Sequence, residues 1–194
     1  MDVEVTGYFK FVKDMDDVDV KLRGGHHRGN GEADSAQCYI FRVNPEKFGK
    51  EFSHSGGKGY SWHDLKEQSK FDLDFKSLEG KWIGLKAVTW NEGEDKVHCE
   101  CYLDLDGVDA SGDFHADKQN WKEWYNIIDT DGKYGDDNKD HQTSKAWTKL
   151  QKGTIQFRVD AKEGNMNMEY YSDDSTDHKA TFKLLSAREI EVPH

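Results

Sequence analysis

The stretch KVHCECYLDLDG, residues 96–107, alternates apolar and polar side chains with a period of two. Successive side chains of a β-strand point to opposite faces, so the stretch predicts a strand with one buried and one outward face. The inward set is Val97, Cys99, Cys101, Leu103 and Leu105, and the outward set is Lys96, His98, Glu100, Tyr102 and Asp104. Histidine, glutamate and tyrosine on one outward face are groups that can bind a ligand or transfer a proton.

The same alternation recurs along the chain, with clusters of Gly, Asn and Asp between the runs that are typical of turns. In DVDVKLR, for example, Asp19, Lys21 and Arg23 are expected to face outward. Helical periodicity is limited to residues 61–69 and 120–128, where we expect short helices. The pattern predicts an all-β chain, an antiparallel two-sheet β-sandwich of the jelly-roll kind, with residues 1–194 in a single domain.

Composition excludes some classes of partner. Acidic residues outnumber basic residues by 38 to 27, and the net charge is -11. Nucleic acids and anionic membranes attract basic surfaces, so we expect no nucleic-acid partner. No run approaches the roughly 20 apolar residues of a membrane-spanning helix, and the first residues lack the pattern of a signal peptide, so we expect no membrane insertion. Aromatic residues make up 12% of the chain, which predicts a core rich in rings.

The three cysteines, Cys38, Cys99 and Cys101, do not form a zinc-binding pattern, because no second pair of ligands accompanies the CEC motif. Two interpretations stay open. The thiols are buried as small apolar groups, or Cys38 forms a disulfide with Cys99 or Cys101, which suits an exported protein.

The order of several motifs resembles one protein superfamily. GYFKF, LRGGHH, KEFSH, KWIGLKAVTWNEGEDKVHCECYLD and FKLLSAREIEV follow one another along nearly the whole chain. They are similar to concanavalin A-like jelly rolls, which include laminin-G-like lectin modules and alginate-lyase-like polysaccharide lyases. The resemblance implies a jelly roll, an extracellular or cell-surface localisation and a glycan partner. The lyase strands R-x-E-L, Q-I-H or Q-V-H, and Y-x-K-x-G-x-Y do not occur intact; LRGGHH and KEFSH are loose counterparts of the first two.

Outward side chains of several strands predict a polar groove, provided that the strands are neighbours in one curved sheet. The residues expected to bind substrate are Arg23, His26, His27, Lys50, Glu51, Tyr60, Lys86, Glu100 and Gln156. The alternative is a solvated sheet face with cross-strand ion pairs.

A polysaccharide lyase requires a group that neutralises the uronate carboxylate, a base and an acid. Arg158, together with Gln156, suits the first role. His98 or His54 suits the second and Tyr102 the third, because these groups can transfer protons.

Glycine-rich loops carry several histidines, including the His26–His27 pair and His54. Adjacent histidines on a strand point to opposite faces, so polysaccharide contact is favoured over a transition-metal site there. The aromatic segment WKEWYNIIDTDG, residues 121–132, is interpreted either as an amphipathic turn packed over the open end of the sandwich or as a sugar-stacking surface.

The acidic loop DTDGKYGDDNKD, residues 129–140, offers carboxylates of the kind that Ca²⁺ prefers. We expect Asp129, Asp131 and Asp136 as calcium ligands, although the spacing is not that of an EF-hand. The alternative is a solvated acidic loop.

These patterns favour a domain that binds a polysaccharide in a groove on one sheet. The first alternative is a lyase that cleaves a uronate-containing polymer by β-elimination. The second is a structural subunit of an extracellular assembly, in which exposed sheet edges pair with neighbouring chains.

Overall fold

The computed structural model describes residues 2–11, 15–24, 38–44, 47–51, 60–65, 70, 73–130, 154–161 and 180–191. The prediction of an all-β chain is confirmed, since the helical turns among these residues are two short 3-10 helices, Phe75–Leu78 and Ala116–Lys118. Among the described residues, no helix has the length and apolar character needed to cross a bilayer.

The strands form two antiparallel sheets of five strands each. The first sheet consists of β1 (Val3–Phe11), β6 (Trp82–Glu92), β7 (Lys96–Asp104), β8 (Lys122–Thr130) and β10 (Ala180–Glu189). The second consists of β2 (Met15–Gly24), β3 (Cys38–Asn44), β4 (Lys47–Glu51), β5 (Tyr60–Asp64) and β9 (Thr154–Ala161). The strand orders are β10-β1-β6-β7-β8 and β5-β4-β3-β2-β9.

In both sheets, strands that are far apart in the chain pair with each other. The first strand pairs with the last, and the second pairs with the ninth. The segments β2 to β5 and β6 to β8 are meanders, in which each strand pairs with the next one along the chain. The meanders therefore start at one edge of each sheet, and long-range pairing adds β1 and β10 to the first sheet and β9 to the second.

The strand predicted over residues 96–105 is confirmed as β7, which ends at Asp104. Its inward side chains from Val97 to Leu103 are buried, and the outward ones up to Tyr102 are partly exposed. Leu105 was expected to be buried, but it lies beyond the end of the strand and is 43% exposed.

A hydrophobic core lies between the sheets, which supports the β-sandwich prediction. The first sheet contributes Val5, Phe9 and Leu85, among others, and the second contributes Val20, Phe41 and Phe48. Aromatic rings are prominent in it, as the composition predicts: Tyr39 and Phe41 pack against Phe48, and Phe41 also stacks on Tyr125.

The short helix expected over residues 120–128 is wrong, because this segment forms β8. Its Trp, Tyr and Ile residues have a high preference for strands. The register of β8 against β7 shifts between Cys101 and Tyr102. This bulge allows the consecutive residues Trp124 and Tyr125 both to be buried in the core, a pattern that resembles a helix in the sequence. The helix expected over 61–69 is wrong for 61–64, which belong to β5, and 66–69 lie outside the described residues.

The expectation that Asp19, Lys21 and Arg23 face solvent is also wrong, because all three are buried. Arg23 has a φ of 53°, in the left-handed region that bulky residues rarely adopt. The register of β2 against β9 shifts between Lys21 and Gly24, so the alternation of β2 is interrupted at this point.

The three cysteines are buried and carry unbonded thiols, which agrees with their interpretation as small apolar groups. Burial raises the pKa of Cys99 and of Cys38 well above the ordinary value of a thiol. These thiols are therefore protonated and weakly nucleophilic at neutral pH.

Candidate functional site

The outer face of the first sheet, which faces away from the second sheet, carries a continuous set of aromatic and polar side chains. We call it the aromatic platform and define it as Lys86, Trp90, His98, Glu100, Tyr102, Trp121 and Asn126. The antiparallel register places Lys86 opposite Tyr102, Trp90 opposite His98 and Glu100 opposite Asn126. Trp121 directly precedes β8, and its ring lies against Gly84 and Lys86. Side chains opposite one another in such a ladder are near neighbours.

One end of the platform is formed by Trp90 and His98. Their rings are stacked with centroids 4.6 Å apart and an interplanar angle of 10°. The His98 Nε2 atom lies 2.5 Å from a carboxylate oxygen of Glu92, and Lys96 donates to the other oxygen of Glu92 at 3.3 Å. These two contacts lower the pKa of Glu92, most of all the hydrogen bond with His98. Each ring thus covers one face of the other, and both residues remain partly exposed.

Glu100 is the polar centre of the platform. Its Oε2 atom accepts a hydrogen bond from the Tyr102 hydroxyl, and its Oε1 atom accepts one from Asn126 Nδ2 at 3.0 Å. Burial and the hydrogen bond to Glu100 raise the pKa of Tyr102 above the usual value for a phenol. At neutral pH the group therefore offers a carboxylate, an amide and a protonated phenol within a few ångströms of one another.

Lys86 lies between two rings at the other end. Its Nζ atom is 4.5 Å from the centroid of the Trp121 ring and 5.5 Å from that of Tyr102. An ammonium this close to a ring face is attracted by the ring quadrupole. Burial lowers the pKa of Lys86, and the charge of Glu4 opposes this effect.

Gly84 allows Trp121 to lie across the sheet. A Cβ atom at this position would come within 2.8 Å of the Tyr8 ring and 2.9 Å of the Trp121 ring. Tyr8 in turn donates to Asp104 at 2.6 Å and accepts from Gln119 at 3.0 Å. Burial and the Asp104 bond raise the pKa of Tyr8. A buried hydrogen-bonded network therefore supports the Trp121 end of the platform.

The predicted groove combined residues that the structure divides between two sheets. His98, Glu100, Tyr102 and Lys86 belong to the first sheet, whereas Gln156 and Arg158 belong to β9 of the second sheet. The condition that these strands are neighbours is not met. His98 and Arg158 therefore do not share one sheet face, and the proposed combination of Arg158 with Tyr102 is not formed.

Three predicted site residues meet inside the sandwich instead. Lys50 forms an ion pair with Asp129, and both side chains are fully buried. The Tyr39 hydroxyl donates to the same carboxylate at 2.5 Å. Nearby, Arg23 donates to Thr89 at 3.1 Å and to Asn91 at 2.6 Å, which links β2 to β6. Arg23 and Lys50 thus join the sheets rather than line a surface groove, and burial lowers the pKa of Arg23.

Glu51, another predicted binding residue, belongs to a second buried cluster. It accepts from Lys21 at 2.8 Å and from the Cys38 thiol at 3.4 Å. Asp19, two residues before Lys21 in β2, accepts two hydrogen bonds from Arg42, at 2.8 Å and 2.9 Å. A buried charge is tolerated when it is paired in this way, so these residues are interpreted as structural.

Asp129 does not fit a calcium site, because its carboxylate already accepts from an ammonium and a hydroxyl. The structure shows no group of three potential metal ligands among the residues it describes. Asp131 and Asp136 lie outside those residues, so calcium binding by the acidic loop stays a prediction.

The remaining predicted site residues lie outside the platform or outside the described residues. His26, His27 and His54 lie in parts of the chain that the structure does not describe. Tyr60 begins β5 in the second sheet. Asn126, in contrast, was missed by the sequence reasoning, because residues 120–128 were expected to be helical. The signal in the sequence is a polar residue between two apolar ones, Tyr125 and Ile127, as expected for an outward position of a strand.

Comparison of the chain with protein-family models, with curated proteins and with solved structures gives no match.

Proposed function

We propose that this chain binds a polysaccharide or other glycan on its aromatic platform. The observation that carries the proposal is the arrangement of Trp90, Tyr102 and Trp121 around the hydrogen-bonded pair Glu100 and Asn126 on one sheet face. Sugar rings present C–H faces that pack on aromatic rings and hydroxyl groups that need both donors and acceptors. The platform offers both kinds of contact side by side.

The length of the platform suits an oligosaccharide. Trp90 lies six residues from Gly84 along β6, and the Trp121 ring lies over Gly84. At about 3.4 Å per residue, the two tryptophans are roughly 20 Å apart along the strand. A ligand in contact with both rings must span several sugar units.

Binding without turnover is the form that the geometry favours. A lyase would require a carboxylate-neutralising group, a base and an acid around one sugar. Arg158 and Gln156, the predicted neutralising pair, belong to the other sheet from His98 and Tyr102. The β-elimination hypothesis therefore needs a different set of groups, whereas sugar binding uses the platform as it is.

The jelly-roll topology and an extracellular or cell-surface localisation belong to the same proposal. Two facing antiparallel sheets and the pairing of first with last and second with ninth strands support the former. The net charge of -11 is consistent with a glycan partner and opposes a nucleic acid.

A glycan array followed by calorimetric titration tests the proposal. We expect Trp90→Ala to lower affinity by about tenfold or more, because a few aromatic residues commonly dominate binding. Leu185→Ala is the control, since Leu185 is an exposed apolar residue on β10, at the far edge of the same sheet. Binding that is unchanged in Trp90→Ala would place the site elsewhere.

Tyr102→Phe separates binding from catalysis. The change keeps the ring and removes one hydroxyl, so a binding protein should lose about 1 kcal/mol, a several-fold loss of affinity. An enzyme that uses this hydroxyl as acid should lose about 100-fold in rate while it still binds its polymer. Release of unsaturated sugar ends by the wild type, followed by ultraviolet absorbance, would show that the protein is a lyase.

A further inference from the structure

Lys86 differs from the other cations around the platform. Three other cations on or beside this sheet are held by carboxylates: Lys96 by Glu92, Arg188 by Glu4 and Lys70 by Glu123. The Lys86 ammonium makes no hydrogen bond and no ion pair with any residue that the structure describes. The ammonium lies instead over the ring faces of Trp121 and Tyr102.

The two rings orient the ammonium without satisfying its donors. A ring face attracts the positive charge but supplies no oxygen acceptor, and an ammonium carries three N–H donors. The side chain is also partly buried, so it has lost part of its hydration. A cation in this state gains more from an anionic partner than a fully hydrated one does.

The surrounding acids leave room for such a partner. Glu100 accepts hydrogen bonds from two neutral donors, Tyr102 and Asn126. Asp104 is buried and bonded to Tyr8. Glu4 is paired with Arg188 at 2.8 Å. The carboxylates near Lys86 are therefore bonded to other groups. The charges of Glu4 and Asp104 act on its ammonium, but neither carboxylate forms a hydrogen bond or an ion pair with it.

We propose that Lys86 is a specificity-determining residue that binds an anionic group, a carboxylate or a sulfate ester, carried by the bound sugar. The inference rests on glycan binding at the platform and goes beyond it by naming the charge of the ligand. Trp121 and Tyr102 fix the position of the ammonium, and Glu100 with Asn126 contacts hydroxyls of the adjoining sugar. The platform thereby selects acidic glycans despite the negative net charge of the chain.

Matched pairs of glycans test this selectivity. The probes are an oligogalacturonate with its carboxyl-reduced neutral form, and a sulfated galactan oligosaccharide with its desulfated form. We expect the wild type to prefer at least one acidic member over its neutral partner by about tenfold or more, since hydrogen bonds to charged groups are stronger than neutral ones. The two pairs distinguish a carboxylate from a sulfate ester.

Lys86→Met keeps the apolar stem over the rings and removes the charge. It should abolish the preference for the acidic glycan, so that the ratio of acidic to neutral affinity falls by about tenfold or more. Lys10→Met is the matched control, because Lys10 lies on the outer face of the same sheet and outside the platform. Circular dichroism and thermal melting should show that both variants are folded.

The outcomes separate the two proposals. Equal binding of acidic and neutral members by the wild type, or an undiminished preference in Lys86→Met, overturns the role of Lys86 and leaves glycan binding intact. No binding to any glycan on a broad array overturns the proposed function, and the role of Lys86 with it.

Discussion

Two regions of the molecule combine the same three kinds of side chain in different ways. On the platform, Lys86 and Tyr102 lie beside Glu100, and in the interior, Lys50 and Tyr39 lie beside Asp129. Inside, both the ammonium and the hydroxyl contact the carboxylate, and Lys50 also lies 5.6 Å from the Tyr39 ring centroid. Outside, the hydroxyl contacts the carboxylate and the ammonium lies over rings.

The difference teaches how burial decides the role of a polar group. A charge in the interior cannot be solvated by water, so the folded state retains it only when a partner neutralises it. A partly exposed charge on a sheet face can be left to water or to a ligand. The interior set therefore holds the two sheets together, and the platform set is available for recognition.

The largest expected effect is that of Asp129→Asn. It removes the carboxylate charge that pairs with the buried Lys50 ammonium, so the free energy of unfolding should fall by about 3–5 kcal/mol. Urea denaturation measures this free energy, and thermal melting is used if the variant is only partly folded. Replacing both partners, Lys50→Met with Asp129→Leu, should restore most of the stability. A loss below about 1 kcal/mol in Asp129→Asn would contradict the structural role.

A smaller effect is expected from Gly84→Ala at the platform. The new Cβ collides with the rings of Tyr8 and Trp121, so one of them must move. Overpacking of this kind costs about 1–3 kcal/mol. Tryptophan fluorescence should report the displacement of Trp121, and glycan affinity should fall with it. Unchanged fluorescence and stability would mean that Trp121 is not seated against Gly84.

The smallest effect concerns Glu92 and its dependence on pH. Its pKa is lowered in the folded state, so its contribution to stability is present above its ordinary pKa of 4.5 and is lost as pH falls through the lower folded value. Glu92 is fully exposed, so salt should weaken the effect. Urea denaturation of wild type and Glu92→Gln should therefore differ more at pH 7 than at pH 3. An identical difference at both values would exclude the His98 and Lys96 contacts as its source.

Local alternation predicted a strand correctly where the pattern was unbroken and failed where a bulge interrupted it. For β7 the period of two was sufficient, because its pattern is unbroken from Val97 to Leu103. For β8 it failed, because a bulge places Trp124 and Tyr125 together in the core, and two adjacent buried aromatics imitate a helical pattern. A bulge depends on the partner strand, which the segment itself does not reveal.

The predicted site was correct in its outward set on β7 and incorrect in how it combined strands. His98, Glu100 and Tyr102 do share the outer face of the first sheet. Arg158 alternates in its own strand as an outward residue would, yet it belongs to the second sheet. Lys50 lies two residues from the core residue Phe48, so alternation places it on the inner face. Alternation identifies two faces of a strand but does not say which face is covered, and a polar side chain can be buried when it finds a partner.

The sequence by itself determined that the chain is all-β and that β7 presents His98, Glu100 and Tyr102 on one side, because side-chain direction along a strand is a local property of the backbone. Only the tertiary structure decided the rest. Strand order assigned β9 to the second sheet, a register shift in β2 accompanies the buried position of Arg23, and sheet packing brought Lys50 to Asp129. These outcomes depend on contacts between residues far apart in the chain, which no local pattern records.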